Sequence, residues 1–263
     1  MQIWQAIVLG AVQGFTEFLP VSSSGHLLLI ERWLNIDTEG GLFFDIMLHL
    51  GTLVPVFIVF MKSIKELFIK PYKRLLYLFI ASLPAVATGF LFQDKIEHLF
   101  KGGTMLSAVL LSVSFLLTAG ELVFAEKISR KNKNALPLSV KSSIIMGVFQ
   151  GLAIVPGLSR SGTVITGGAV AGLEKGKNAE FAFLMSIPVI SGAALVSGTK
   201  VVHQGVSIEI VPILFGVITA AATGYIAISI MLNAVKKARF GRFSLYLILL
   251  AFLSVLTKVL FGI

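Results

Sequence analysis

The chain alternates between long apolar runs and short polar connections. Runs of about twenty apolar residues recur, which is long enough to cross roughly 30 Å of hydrocarbon as helix. Six of these runs predict full membrane spans, and they fall near residues 43–61, 74–92, 104–125, 179–198, 209–233 and 243–262. The pattern therefore predicts an all-α polytopic membrane protein.

Two further apolar stretches, residues 1–33 and 139–173, are interrupted. In each, an apolar helix is followed by a break containing Pro, Ser and Gly, and then by a second short apolar helix. Inside a membrane, a broken backbone is tolerated only where protein buries it or where it lines a cavity. We therefore expect two re-entrant helical hairpins, so that the molecule has about ten helical segments around a binding site near the middle of the membrane.

The two breaks are related copies, separated by 137 residues along the chain. At this offset an identical residue recurs for Gly10, Gln13, Gly14, Ser22, Ser24 and Gly25. We therefore expect two repeats, about 1–125 and 139–263, within one integral membrane domain of residues 1–263.

Loop charges predict how the repeats sit in the membrane. The loops 62–74, 126–141 and 234–242 are rich in Lys and Arg, so we place them in the cytoplasm. The stretch 31–45 is acidic and, with the mixed loop 93–103, suits the outer side. The first hairpin then enters from outside and the second from the cytoplasm. On this basis we expect inverted repeats whose breaks meet in mid-membrane, with both termini outside.

Composition agrees with this picture and excludes several classes of function. Of the residues, 56% are hydrophobic and 13% are charged, whereas soluble domains average about 25% charged residues. The net charge of +9 lies mostly in short loops, where it sets orientation rather than binds nucleic acid. The absence of cysteine excludes disulfides and thiolate chemistry. The N-terminus lacks a basic segment and a small-residue cleavage site, so we expect no removable signal peptide.

The two breaks differ in their charged residues. Gln13 and Glu17 are four residues apart and share a helix face in the first break. Arg160 in the second break stands where the first has Ser23. A charge inside a membrane segment is costly, so each needs a partner. Two interpretations stay open: a structural Glu17–Arg160 pair, or a catalytic carboxylate beside an arginine that binds phosphate through its planar donor fork.

Serines open the helix that follows each break. Serine is a strong N-cap because its oxygen accepts a free backbone N–H of the first turn, and capping alone accounts for Ser22. Two helix N-termini that point at one place offer free N–H groups and partial positive charge, which together bind anions. We therefore expect an anion site between the helices that begin near Ser22 and Ser159.

The histidines are harder to interpret. His26 lies three residues after Ser23 and shares its helix face, so it is either a core residue or a proton acceptor. Asp45 and His49 form a second pair four residues apart, which we interpret as structural. The other two histidines fall in predicted loops, His98 and His203. No His, Cys, Asp or Glu cluster has the spacing of a zinc site.

These parts suit phosphoryl transfer at a lipid headgroup. An anion site, one arginine, a serine hydroxyl and a carboxylate can break a P–O–P bond, mainly by neutralising the charge that develops on the phosphoryl oxygens. Ser23 would attack while Glu17 or His26 takes its proton, or Glu17 would activate water directly. Because no soluble domain is predicted, we expect the substrate to arrive through the bilayer.

The segments 17–26 and 156–162 resemble the two signature motifs of the BacA/UppP family, the undecaprenyl pyrophosphate phosphatases of bacteria, and the resemblance covers nearly the whole chain. It implies hydrolysis of undecaprenyl pyrophosphate to undecaprenyl phosphate and phosphate. That reaction recycles the lipid carrier of peptidoglycan synthesis and confers bacitracin resistance. The resemblance also implies a multi-pass protein of the bacterial cell (cytoplasmic or inner) membrane whose site faces the outer side.

Carried onto this sequence, the family's acidic motif falls on Gln13 and Glu17, its catalytic serine on Ser23, its histidine on His26 and its phosphate-binding arginine on Arg160. The residues expected to line the phosphate pocket are Gln13, Ser22, Ser24, Gly25, Ser159, Ser161, Gly162 and Thr163. Gln13 leaves a single carboxylate in the motif, so we predict no protein metal site. Whether a divalent cation such as Mg or Ca bridges the pyrophosphate stays open.

We expect the polyprenyl pyrophosphate and the membrane as partners and no nucleic acid, while a homodimer stays open. The alternative function is a lipid or anion transporter, a flippase, that uses the same mid-membrane site, because paired broken helices in inverted repeats are a common transporter plan.

Overall fold

The computed structural model describes residues 1–34, 36, 41–101, 103–132, 135–204 and 209–262. Within these ranges the secondary structure is helical and no strand is formed. The α-helices in chain order are α1 Ile3–Phe18, α2 Ser23–Trp33, α3 Gly41–Val59, α4 Met61–Leu67, α5 Lys73–Lys101, α6 Met105–Lys131, α7 Val140–Leu152, α8 Arg160–Val170, α9 Lys175–Leu184, α10 Ser186–Gln204, α11 Ile210–Lys236 and α12 Phe243–Phe261.

The predicted membrane-spanning helices are confirmed. Among the described residues, five helical segments are long and apolar enough to cross a membrane, and the bent pair of α3 and α4 makes six if it counts as one span. That pair bends by 87° after Val59. Large apolar side chains remain exposed on the outer faces of the bundle, as lipid contact requires; Phe90 is 91% exposed and Leu195 is 73% exposed. The chain is therefore an all-α polytopic membrane protein.

The span predicted at 179–198 is broken into two helices. Helix α9 ends at Leu184, and α10 begins at Ser186. Pro188 lies in the first turn of α10 and has no N–H to donate to the preceding turn. Ser186 instead donates its hydroxyl to the carbonyl of Phe183 at 2.6 Å. The proline thus ends one helix and opens the next.

Three predicted loops proved to be largely helical. Helix α4 covers residues 62–67 of the predicted loop 62–74. Helix α5 continues to Lys101, so His98 lies in a helix and not in a loop. Helix α10 likewise extends to Gln204 and includes the backbone of His203. The apolar pattern of α5 and α10 fades before the helices end, so it did not mark their last turns. The acidic residues at 37 and 39, which carried much of the argument for an outer segment at 31–45, lie outside the described residues.

Each interrupted stretch forms two helices with a break between them, and the first helix of each packs on the opposite half of the chain. Helix α1 packs most closely on α11, and α7 packs on α5. Small residues allow both approaches: a Cβ on Gly10 would lie 2.3 Å from the carbonyl oxygen of Gly216, and one on Gly147 would lie 2.7 Å from that of Ala81. Gly10 and Gly147 are separated by the repeat offset, so the two halves use equivalent contacts.

The two breaks share their capping chemistry but differ in length. In the first, the Ser22 hydroxyl accepts from the backbone N–H of Gly25 at 3.3 Å. In the second, the Ser159 hydroxyl accepts from the N–H of Gly162 at 3.2 Å. The second break is longer and includes Gly157, whose φ of +92° is strained for any residue with a Cβ. These caps fix the points at which α2 and α8 begin.

Candidate functional site

A cavity of about 390 Å³ lies between the two breaks and helices α3, α5 and α10. Its polar wall includes Glu17, Ser23, Ser24, His49, Ser159 and Arg160. Its apolar wall includes Leu27, Leu28, Ile96, Phe100, Val189 and Ile190. The cavity therefore offers a charged end for an anionic group and an apolar end for a hydrocarbon.

Glu17 is at the centre of the polar end. It lies near the end of α1, and only 5% of its surface is exposed. Gln13, one turn earlier, donates its amide N–H to Glu17 Oε2 at 3.0 Å. The guanidinium of Arg160 pairs with Oε1 of the same carboxylate. A carboxylate buried at this depth requires such partners, and the arginine supplies the opposite charge.

Ser23 is the first residue of α2, and its hydroxyl donates to Glu17 Oε2 at 2.6 Å. A short hydroxyl–carboxylate hydrogen bond is charge-assisted and stronger than one between neutral groups. The carboxylate is thus placed to take the serine proton as the oxygen attacks an electrophile. The structure brings together the acid, the serine and the arginine that the sequence singled out.

Arg160 is the first residue of α8 and enters the site from the other break. Its side chain is 20% exposed, and this residue lines the cavity. A guanidinium carries five N–H donors, one of which engages Glu17. Arg160 can therefore bind phosphate oxygens while it lies next to the serine that would attack.

The N-termini of α2 and α8 both open onto the cavity, at Ser23 and Arg160. Each contributes the partial positive charge of a helix N-terminus, which favours a bound anion. Of the predicted pocket serines, Ser24 and Ser159 line the cavity. Ser161 has another role, since its hydroxyl donates to the backbone carbonyl of Leu19 at 3.2 Å and ties α8 to the first break.

Three other residues predicted for the pocket, Ser22, Gly25 and Gly162, are absent from the cavity lining. Ser22 caps α2, and Gly25 and Gly162 supply the N–H groups that the two capping serines bind. Space at Gly25 is small, because a Cβ there would lie 2.6 Å from the ring of Phe115. These residues position the helix ends rather than face a ligand.

His26 of α2 is absent from the cavity lining that contains Glu17. One ring nitrogen, Nδ1, lies 2.7 Å from the backbone oxygen of Ser22, and Nε2 lies 2.6 Å from the hydroxyl of Tyr246. The imidazole also stacks on the Tyr246 ring, with centroids 5.6 Å apart. Of the two proton acceptors considered for Ser23, the structure therefore brings Glu17 to the hydroxyl and engages His26 elsewhere.

Thr163 also turns away from the cavity. It is fully buried, and its hydroxyl donates to Glu121 Oε2 of α6 at 2.8 Å. Glu121 was not among the predicted site residues, although a carboxylate inside the span predicted at 104–125 is itself a signal of a polar contact. The pair joins α8 to α6 and steadies the helix that carries Arg160.

His49 of α3, predicted to be structural, lies in the site beside Glu17. Its Nε2 lies 3.8 Å from Glu17 Oε2, and this residue lines the cavity. Its Nδ1 lies 2.8 Å from the backbone oxygen of Asp45, which accounts for the spacing that suggested a structural pair. Sequence spacing alone could not show that the other nitrogen faces Glu17.

The described part of the chain holds no group of three or more His, Cys, Asp and Glu side chains that could bind a metal ion. Glu17, the acid nearest to the serine, already binds Arg160, Ser23 and Gln13. A divalent cation at this site would therefore depend mainly on phosphate oxygens for ligands, and the need for one stays a prediction.

Comparison with known proteins identifies the family of the chain. Residues 6–253 match the model of the family described as bacitracin resistance protein BacA. A protein of Carboxydothermus hydrogenoformans named undecaprenyl-diphosphatase is 40% identical over 250 residues, which cover 94% of each chain. Proteins of the same name from Moorella thermoacetica, 38% identical over 97% of each chain, and Methanobrevibacter smithii, 39% identical over 94% of each chain, are similarly close. The chain belongs to the BacA family, as its two motifs predicted.

Proposed function

We propose that this protein hydrolyses undecaprenyl pyrophosphate to undecaprenyl phosphate and inorganic phosphate. The reaction recycles the lipid carrier of peptidoglycan synthesis and confers bacitracin resistance, because the antibiotic sequesters the pyrophosphate form. The observation that carries the proposal is the Glu17 carboxylate, which binds both the Ser23 hydroxyl and the Arg160 guanidinium at the polar end of the cavity. The name shared by relatives that align over nearly the whole chain supports the same activity.

The cavity accommodates the two chemical parts of this substrate separately. The diphosphate fits the polar end, where Arg160 and two helix N-termini favour negative charge. The first part of the prenyl chain fits the apolar wall formed by α2, α5 and α10. A lipid that enters sideways from the bilayer thus places its headgroup beside Ser23.

The chemical step follows from the contacts of Ser23. Its oxygen attacks the terminal phosphorus, Glu17 Oε2 takes the proton, and the bridging P–O bond breaks so that undecaprenyl phosphate leaves. Arg160 exchanges its bond to Glu17 for bonds to the phosphoryl oxygens, where negative charge develops. Water then cleaves the phosphoserine. Direct attack by a water molecule that Glu17 activates is the alternative path.

Phosphate release by the purified protein in detergent tests the function, with undecaprenyl pyrophosphate as substrate. We expect release by the wild type, loss of activity in Ser23→Ala, and a milder effect in Ser24→Ala, the matched control from the same cavity wall. Substantial turnover by Ser23→Ala would favour direct water attack. A wild-type protein that moves the lipid between leaflets without releasing phosphate would instead be a transporter, and the proposed function would be wrong.

We also propose that the protein lies in the bacterial cell membrane as two inverted repeats, with its site open to the outer face. Two observations support this arrangement. Lys and Arg are concentrated in the segments 62–74, 126–141 and 234–242, and α1 packs on α11 as α7 packs on α5. Homodimer formation and use of a divalent cation stay predictions. Crosslinking in native membranes measures the first, and phosphate release after treatment with a chelator measures the second.

A further inference from the structure

His49 lies next to Glu17, the carboxylate that binds the Ser23 hydroxyl. It is therefore a third group at the site that can exchange a proton, after Ser23 and Glu17. The residue is near the middle of α3, its side chain is 31% exposed, and it lines the cavity. Its Nε2 is 3.8 Å from Glu17 Oε2, the oxygen that accepts the Ser23 hydroxyl. The mechanism proposed above uses Glu17 and Ser23 but assigns no role to this imidazole.

The hydrogen bond of His49 to its own helix decides which nitrogen carries the proton. Nδ1 lies 2.8 Å from the backbone oxygen of Asp45, and a carbonyl oxygen can only accept. Nδ1 therefore carries a hydrogen, and in the neutral ring Nε2 has a lone pair that faces Glu17. A lone pair and a carboxylate oxygen attract each other only when one proton lies between them. At 3.8 Å the two atoms are beyond hydrogen-bond distance, so a proton passes between them only when the side chains move closer.

The charges around this pair change when substrate binds. In the empty site, Glu17 is neutralised by Arg160 from α8. Gln13 also binds Glu17 but cannot exchange a proton. The other acids that line the cavity are Glu31 of α2 and Asp45 of α3. Once Arg160 turns to the diphosphate, the basic group left beside Glu17 in the described structure is His49.

We propose that His49 stores the proton that Ser23 releases, and so acts as a positioning residue through Glu17. This inference rests on the proposed function. In the first half of the reaction, the Ser23 O–H bond breaks and its oxygen bonds to phosphorus. The bridging oxygen leaves with its electron pair, and the proton passes through Glu17 Oε2 to His49 Nε2.

The second half of the reaction returns the stored proton. A water oxygen bonds to the phosphorus, the bond from phosphorus to Ser23 Oγ breaks, and Oγ takes the proton back through Glu17. Both protons of the water leave with the inorganic phosphate as H2PO4⁻. His49 thus keeps Glu17 ionised and able to accept a hydrogen bond in the interval between the two halves.

Steady-state kinetics of His49→Gln test this role, because glutamine keeps a polar side chain but cannot exchange a proton. We expect kcat to fall on the order of 100-fold, the range of general acid–base catalysis, with KM changed by less than about threefold. We also expect the pH profile of kcat to lose one ionisation. His98→Gln, an exposed histidine of α5, is the matched control and should behave as wild type.

The outcomes separate this inference from the proposed function. Wild-type protein that releases no phosphate contradicts the function itself. A His49→Gln protein whose kcat stays within about twofold of wild type, or whose only change is a higher KM, overturns the inference while the function stands. Binding of a methylene-bridged, non-hydrolysable prenyl diphosphonate to His49→Gln and His49→Asn controls for folding. If both variants still bind the diphosphonate but turn over slowly, the result supports proton storage. If both variants lose binding as well as turnover, the result contradicts it.

Discussion

At the scale of single residues, the site depends on one buried ion pair. Glu17 is 5% exposed and pairs with Arg160, which comes from the other half of the chain. Removing one member of a buried pair leaves the other charge without compensation, which costs about 3–5 kcal/mol. The same two residues therefore contribute to the stability of the empty protein and to its chemistry.

A double-mutant cycle separates these two contributions. We expect Arg160→Ala and Glu17→Gln each to abolish phosphate release and to lower the free energy of unfolding, by about 3 kcal/mol for Arg160→Ala, because Glu17 is then left without its cation. The double variant should lose less than the sum of the two. Thermal unfolding in detergent measures stability, and Arg239→Ala, at an exposed arginine, is the control. If the stability losses of the two single variants simply add in the double variant, the interaction between Glu17 and Arg160 contributes little to folding.

Gln13 supports Glu17 with one hydrogen bond of 3.0 Å and takes no part in the proton transfer. We therefore expect Gln13→Ala to reduce kcat less than Glu17→Ala does, since a lost neutral donor to a charged group costs only about 1.5–3 kcal/mol. Kinetics of the two variants under the same conditions check the order. A larger loss in Gln13→Ala would mean that the roles of the two residues have been assigned wrongly.

At the scale of helices, the breaks in the two interrupted stretches were predictable and the surrounding helices were not. The repeated serine caps could be found in the sequence because Ser22 and Ser159 stand at one constant offset. The break before Ser186 also had a signal, Pro188, but the continuous apolar run concealed it. The bend after Val59 has no comparable marker in the sequence, since it depends on how α4 packs against its neighbours.

Close packing of α1 on α11 gives a test at this scale. We expect Gly10→Ala to destabilise the fold by roughly 1–3 kcal/mol, the usual cost of overpacking, because its Cβ would lie 2.3 Å from the carbonyl oxygen of Gly216. Gly120→Ala is the matched control, since a Cβ there meets nothing within 4 Å. Thermal unfolding in detergent compares them. Equal stability of the two variants would contradict the close helix contact.

At the scale of the whole molecule, hydropathy was enough to predict the fold class, and the repeat was enough to place Glu17, Ser23 and Arg160 together. The repeat could not show that His49 faces Glu17 or that His26 binds Tyr246, since α3 and α12 lie outside the two interrupted stretches. Those contacts depend on packing between spans, and a single sequence holds no periodic signal for packing partners.

Orientation in the membrane also belongs to this scale. If the basic loops are cytoplasmic, a tag at residue 1 and a tag in the loop 126–141 should be labelled from opposite sides by a reagent that cannot cross the membrane. Lys and Arg favour the cytoplasmic side during insertion, which is the physical reason for the expectation. Labelling of both tags from one side would refute the inverted arrangement.

The pairing of Arg160 with Glu17 in the empty site affects which anions remain bound. Free phosphate must break this pair without the compensating gain that a long hydrocarbon obtains by entering the apolar wall. A lipid diphosphate gains free energy both from its bonds to Arg160 and from the burial of its hydrocarbon. We therefore expect the product phosphate to leave when Arg160 returns to Glu17. We also expect inhibition by added phosphate to be weak even at concentrations well above that of the lipid.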